Sequence, residues 1–176
     1  MFTVVTGGSG SGKSAFAEEK VTRLGEGKRI YIATMMCFDE ESRRRVERHR
    51  RMREGKGFTT IECYTGLEKL NLPGDSIVLL ECMSNLAANE MFAKEGAGEN
   101  AARRILAGLH HILTQVRHMV VVTNEIFSDG DIYEEETRRY QSCLGAINIW
   151  MAQKADEVAE VVYGIPLYQK RKAGKG

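Results

Sequence analysis

The sequence predicts an α/β fold, a mostly parallel sheet with helices on both faces. Short segments rich in apolar and β-branched residues alternate with helical segments along the whole chain, and this alternation is typical of parallel sheets. Two of these segments, Asp75–Glu81 and His118–Glu125, are almost continuously apolar, as expected for strands that helices cover on both sides. The 176 residues fit one domain, which we place at 1–170 and follow with a basic tail at 171–176 that we expect to fray.

Each element follows from its local pattern. The first helix carries Ala17, Val21 and Leu24 on one face, and Gly25 is placed to end it. The predicted strands are Phe2–Thr6, Arg29–Thr34, Thr59–Cys63, Asp75–Glu81, His118–Glu125 and, with a turn, Asp156–Pro166. The predicted helices are Ser14–Leu24, an arginine-rich segment after Asp39, Met83–Lys94, Asn100–Arg117 and Glu134–Ala155.

Composition excludes several classes of protein. Lysine and arginine number 25 against 24 acidic residues, and this near balance predicts no nucleic-acid partner and no membrane surface. No apolar stretch approaches the roughly 18 residues of a membrane span, and the N-terminus does not resemble a signal peptide. The four cysteines are scattered without a CxxC pair, which argues against a zinc site or a disulfide framework. We therefore expect a cytoplasmic protein.

The loop GGSGSGKS, Gly7–Ser14, matches the phosphate-binding pattern G-x-x-x-x-G-K-[ST]. It follows a predicted strand and opens a predicted helix, which is the context that the motif requires. Glycines let backbone N–H groups converge on phosphate oxygens, Lys13 can reach the β and γ phosphates, and the Ser14 hydroxyl can bind Mg²⁺. The loop is predicted to bind a nucleoside triphosphate through Gly7, Gly8, Ser9, Gly10, Ser11, Gly12, Lys13 and Ser14.

The same loop also fits a looser dinucleotide-binding pattern, G-x-G-x-x-A, in the letters GSGKSA. That fold needs an acidic residue at the end of the second strand to bind the ribose. Here the second strand ends in YIAT, at Thr34, so the triphosphate interpretation is preferred.

A magnesium site needs an acidic partner for Ser14. Ligands of parallel sheets bind beyond the carboxyl ends of the strands, and this rule places Thr34, Glu62, Glu81 and Glu125 on the same rim as the loop. Glu81 and Glu125 each end an apolar strand, and the sequence does not decide between them. We favour Glu81.

Seven arginines surround His49 between Arg43 and Arg53. Such a segment is commonly a solvated basic helix, and a nucleic-acid patch is a second possibility, although interleaved aromatic residues are missing. Beside a triphosphate loop, arginines can stabilise charge on phosphoryl oxygens. Neighbouring positive charges also lower the pKa of a histidine, so that a neutral His49 could act as a nucleophile or a base. Attack of His49 on an α-phosphate would release pyrophosphate and leave a nucleotidyl-histidine.

Together these segments resemble one family. TVVTGGSGSGKS, YIAT, DEESRRRVERHR, TIEC, IVLLEC, VVVTNE and ADEVAEVVYGIP occur in the order and spacing of adenosylcobinamide kinase/adenosylcobinamide-phosphate guanylyltransferase, from Phe2 to about Pro166. The resemblance implies a RecA-like P-loop fold and a homotrimer that acts on a corrinoid in cobalamin biosynthesis. It further implies phosphorylation of adenosylcobinamide by GTP or ATP with Mg²⁺, and then transfer of GMP from GTP through a guanylyl-histidine.

By this resemblance, His49 is the guanylylated histidine; Lys13 of the phosphate loop is the other predicted catalytic residue. The residues that fall where the family contacts nucleotide, besides the loop, are Thr34, Arg50, Arg51, Arg53, Glu62 and Glu81. The metal ligands predicted from the loop and the strand ends are Ser14 and Glu81.

The chain differs from the family pattern in its C-terminal third. Phe127 replaces a glycine, Gln141 and Ser142 stand where an Arg–Asp pair is typical, and Ile149 follows Asn148 in place of Gln. Corrinoid or subunit contacts are expected in this region. Two alternatives therefore stay open: a divergent P-loop kinase or nucleotidyltransferase with another acceptor, and a catalytically impaired nucleotide-binding regulatory protein.

Overall fold

The computed structural model of the chain describes residues 1–124 and 135–172. Its strands are β1 (Phe2–Thr6), β2 (Arg29–Ala33), β3 (Phe58–Glu62), β4 (Ile77–Glu81), β5 (His118–Val122), β6 (Glu157–Val162) and β7 (Ile165–Arg171). They form one sheet in the order β3-β2-β4-β5-β1-β6-β7. Every neighbouring pair is parallel except β6 and β7, which are antiparallel. The predicted α/β fold with a mostly parallel sheet is confirmed.

Helices cover both faces of this sheet. They are α1 (Lys13–Arg23), α2 (Glu40–Arg53), α3 (Met83–Phe92), α4 (Ala101–Gln115) and α5 (Glu135–Lys154). None of the helices in the described ranges is long and apolar enough to cross a membrane.

The two faces of each central strand bury different side chains, because successive residues of a strand point in opposite directions. In β4, Ile77 and Leu79 pack in the core under α1, whereas Val78 and Leu80 pack in the core with α3, α4 and α5. This double burial explains why β4 is apolar at every position but its last, Glu81.

The structure adds one strand that the sequence analysis did not predict. The last strand and turn were expected to end at Pro166, but β7 continues to Arg171 and pairs with β6 along its length. Most of its residues are exposed, so its backbone pairing, and not an apolar pattern, defines it. Glu125 and Glu134, which were assigned to a strand and a helix, lie outside the described residues.

Acidic residues open α2, with Asp39 before it and Glu40 and Glu41 in its first turn. Asp39 is its N-cap: the carboxylate accepts a hydrogen bond from the Ser42 backbone N–H at 2.7 Å. The Ser42 hydroxyl in turn accepts from the Asp39 backbone N–H at 3.1 Å. These bonds satisfy amides that have no partner inside the helix, and the negative charge favours the positive end of the helix dipole.

Candidate active site

The glycine-rich loop joins β1 to α1 and turns sharply at Gly7 and Gly12. Gly7 has a φ of 151°, and a Cβ atom there would lie 2.5 Å from the Val161 carbonyl oxygen of β6. Gly12 precedes α1 with a φ of 93°, in the left-handed region that favours glycine. The Lys13 ammonium folds back over the loop and donates to the Gly8 carbonyl at 3.0 Å. The loop therefore has the curled backbone that a phosphate-binding loop needs.

A cavity of about 530 Å³ opens between this loop, α2 and the carboxyl ends of β2, β3 and β4. Many of the predicted site residues line it. They are Ser9, Gly10, Ser11, Gly12, Lys13, Ser14, His49, Arg50, Arg53, Glu62 and Glu81.

Four predicted site residues do not line this cavity: Gly7, Gly8, Thr34 and Arg51. Gly7 is buried behind the loop, where it permits the close approach of β6. Arg51 lies on the outer side of α2, 3.4 Å from Glu47 in the preceding turn of the same helix.

Thr34 is fully buried just beyond β2, so its side chain is not accessible to a ligand. Its hydroxyl donates to the Cys82 carbonyl at 2.8 Å and accepts from the Cys82 N–H at 2.7 Å. The Thr34 carbonyl also accepts a bond from the Asn89 side chain at 2.8 Å. Thr34 thus holds the end of β4, next to Glu81, against the end of β2.

Glu81 stands at the centre of the site and is only 8% exposed. The Ser14 hydroxyl donates to its Oε1, and the Tyr31 hydroxyl donates to its Oε2 at 3.3 Å. Burial raises the pKa of the Glu81 carboxyl, while the bonds from Ser14 and Tyr31 act in the opposite direction. Glu81, the acidic partner of Ser14 that the sequence analysis favours over Glu125, is thus in direct contact with the Ser14 hydroxyl.

His49 reaches the same carboxylate from α2. Its Nδ1 lies 3.5 Å from Glu81 Oε1, and its side chain is 14% exposed. Burial lowers the pKa of His49, and the nearby Arg48 and Arg53 lower it further. The imidazole is therefore neutral at neutral pH, with one ring nitrogen free to use its lone pair.

Four arginines of α2 line the cavity beside His49: Arg45, Arg48, Arg50 and Arg53. The Arg53 guanidinium lies 3.4 Å from the centre of the Tyr31 ring, and its side chain is buried. Arg50 forms an ion pair with Glu62 at 3.6 Å, where the side chains are about half exposed. Both guanidinium groups therefore bring positive charge to the wall that faces the phosphate loop.

Sequence reasoning missed Tyr31 and Glu18. Tyr31 lies within an apolar strand, where a tyrosine is most simply a core residue, and nothing in the sequence marks its bond to Glu81. Glu18 lies four residues after Ser14, on the same face of α1, and this spacing could have identified it. It is completely buried, and its Oε2 accepts from the Lys56 ammonium at 2.7 Å.

Comparison with known proteins identifies the family of this chain. The family model described as cobinamide kinase/cobinamide phosphate guanyltransferase, CobU, matches residues 3–168. The chain belongs to the CobU family. It is 33% identical over 181 residues to the bifunctional adenosylcobalamin biosynthesis protein CobU of Salmonella typhimurium, covering 94% of this chain and 97% of that protein. The protein of the same name from Escherichia coli is 31% identical, with the same coverage of both chains.

Solved structures support the fold alone. A solved ATPase domain superposes with a TM-score of 0.55 at 12% identity, over 98% of this chain and 78% of that one. An ATPase from the type III secretion system of pathogenic bacteria superposes with a TM-score of 0.51 at 9% identity, over 96% of this chain and 56% of that one. The sheet is therefore that of a P-loop NTPase, and membership in the CobU family makes the chain a bifunctional enzyme, a kinase and guanylyltransferase.

Polar contacts link the end of β5 to α5 and α3 beside the site. Asn148 of α5 accepts a hydrogen bond from the Thr123 hydroxyl at 2.8 Å, just after β5. Asn124, which lines the cavity, donates to the Ser84 hydroxyl at 2.7 Å. The segment with Phe127 lies outside the described residues.

Proposed function

We propose that this enzyme phosphorylates adenosylcobinamide and then transfers GMP from GTP, through a covalent intermediate on His49, to adenosylcobinamide phosphate. The product is adenosylcobinamide-GDP. Family membership supports the two activities, and the geometry around His49 supports the covalent route.

For both steps, we propose that the phosphate loop holds the triphosphate. Its backbone amides and the start of α1 would face the phosphate oxygens, and Lys13 would leave the Gly8 carbonyl to contact the outer phosphates. GTP serves the guanylyl step, and GTP or ATP serves the kinase step.

The residues present also fit Mg²⁺. The Ser14 hydroxyl and the Glu81 carboxylate are oxygen donors already in contact at the end of the loop, and hard oxygen ligands are those that Mg²⁺ prefers. We propose that these two residues hold the ion. When bound, Mg²⁺ neutralises charge on the phosphate oxygens.

The covalent step on His49 conserves atoms and charge. With Nδ1 beside the Glu81 carboxylate, a proton on Nδ1 leaves the Nε2 lone pair for attack on the α-phosphorus. A P–N bond forms, the bond between the α-phosphorus and the bridging oxygen breaks, and pyrophosphate leaves. In the second transfer, a phosphate oxygen of the corrinoid substrate bonds to the same phosphorus. The P–N bond then breaks and neutral His49 is regenerated.

One observation carries this proposal: His49, thirty-five residues after Ser14, shares a cavity with the loop and lies 3.5 Å from the carboxylate that Ser14 contacts. The lowered pKa of His49 keeps the imidazole in its nucleophilic form. Arg50 and Arg53 supply positive charge for the oxygens of the α-phosphate and the departing pyrophosphate.

Incubation with Mg²⁺ and GTP labelled at the α-phosphate, followed by denaturing electrophoresis, tests the mechanism. We expect acid-labile label on the wild-type protein and none on His49→Ala. His110→Ala is the matched control, because His110 is exposed on α4, and it should be labelled as the wild type is. Label that persists in His49→Ala, or its absence from the wild type, would contradict the covalent route.

From the resemblance to the family, we also propose that the enzyme is a homotrimer. From the composition, we propose that it works in the cytoplasm.

A further inference from the structure

Three titratable side chains lie close together beside the cavity, and two of them, His49 and Glu81, line it. Glu18 from α1, His49 from α2 and Glu81 from β4 each bring one ligand atom to a point where all three atoms lie within 4.8 Å of one another. Within the described ranges, two of these side chains each have a buried atom without a hydrogen-bond partner: Glu18 Oε1 and His49 Nδ1. Buried polar atoms without partners are costly and call for an explanation.

We propose that Glu18, His49 and Glu81 form a binding site for a first-row transition-metal dication such as Zn²⁺ or Co²⁺. Carboxylate oxygens and imidazole nitrogens both bind these ions, and three protein ligands leave a position for water or another ligand. The set differs from the proposed magnesium ligands, because it includes an imidazole and omits the Ser14 hydroxyl. A single ion here would supply the missing partner of both orphaned atoms.

The distances are close to those that such a site needs. Tetrahedral coordination with bonds of about 2.1 Å separates the ligand atoms by roughly 3.4 Å. His49 Nδ1 and Glu81 Oε1 are already 3.5 Å apart. The remaining pairs must close by at most about 1.4 Å, which side-chain rotation can supply.

Positive groups around the site set a limit on its affinity. Lys56 pairs with Glu18 Oε2, which leaves Oε1 for the ion. The positive charges of Lys13 and Arg53 lower the pKa of Glu81. The positive charges of Arg45, Arg48 and Arg53 lower the pKa of His49. A dication must compete with this charge, so removal of the Lys56 ammonium should not weaken binding.

The site also implies a form of inhibition, and this consequence rests on the proposed function. A neutral imidazole has a lone pair on only one ring nitrogen. When a metal takes the lone pair of Nδ1, the proton moves to Nε2, and no lone pair remains there to attack phosphorus. A transition-metal ion at this site should therefore block guanylylation of His49.

Titration of the nucleotide-free protein with Co²⁺, followed by visible absorption, tests the site directly, and Zn²⁺ should displace the signal. We expect one ion per chain in the wild type and binding weakened at least about tenfold in Glu18→Gln. Glu19→Gln is the matched control, because Glu19 is the exposed neighbour on α1, and it should bind as the wild type does. Lys56→Met removes the same ion pair as Glu18→Gln but keeps the ligand, so its binding should be unchanged or tighter.

The proposal is overturned by the absence of stoichiometric binding, by Glu18→Gln binding as the wild type does, or by Lys56→Met losing binding to the same extent as Glu18→Gln. Absorption characteristic of a thiolate ligand would also overturn it, since it would place the ion at a cysteine such as Cys37. Circular dichroism of each variant checks the fold. Because this titration uses no GTP, its outcome is independent of whether His49 is guanylylated.

Discussion

The hydroxyl of Thr34 offers a sharp test of how the site is held in place. In Thr34→Val the side chain keeps its shape but loses both bonds to the Cys82 backbone, at 2.7 and 2.8 Å. The Cys82 N–H is then buried without an acceptor, which costs about 1–3 kcal/mol. The Cys82 carbonyl keeps its bond from the Leu86 N–H at 3.2 Å, so its loss is that of one ordinary hydrogen bond, about 1 kcal/mol. We therefore expect the free energy of unfolding to fall by about 2–4 kcal/mol.

Urea unfolding followed by circular dichroism measures this change. If the free energy of unfolding decreases by about 2 kcal/mol per molar urea, the urea concentration at the midpoint of unfolding should fall by about 1–2 M. Tm should fall by roughly 5–10 °C. Thr59→Val is the matched control, because Thr59 is exposed on the edge strand β3. The midpoint of urea unfolding of this variant should change little. A midpoint for Thr34→Val within the error of the wild type would refute the claim that this hydroxyl fastens the end of β4.

Two further predictions concern the loop and His49. Gly7→Ala should unfold more easily and bind GTP poorly, because its Cβ would lie 2.5 Å from a backbone carbonyl oxygen at a φ of 151°. Gly8→Ala, which has nothing within 4 Å of the added carbon, should leave stability nearly unchanged, and equal midpoints for the two variants would contradict this assignment. The guanylyl step needs neutral His49, whose pKa is lowered from 6.5 by burial and by Arg48, so the rate should fall on acidification only below pH 6.5. In Arg48→Gln, the fall in rate on acidification should begin at a higher pH, because one positive charge that lowers the pKa of His49 is removed. A fall in rate that begins above pH 6.5 in the wild type would show that burial does not lower the pKa of His49.

Much of the fold could be predicted because its signals are local. The loop Gly7–Ser14 combines a strand, glycines and a helix start within a few residues, and apolar runs mark β4 and β5 because helices cover both sides of each strand. β7 could not be predicted this way, since its residues are mostly exposed and pairing with β6 defines it.

By itself, the sequence determined the phosphate loop, the parallel sheet and the arginine-rich helix with His49, because propensity and spacing within one element suffice for each. Only the tertiary structure decided how the elements meet. It brought Ser14, His49 and Glu81 together from three elements, buried Thr34 behind the site, and added Glu18 beside His49. Such contacts depend on how α1 and α2 pack against the sheet, and no pattern along a single element encodes the distance between two side chains that are 67 residues apart.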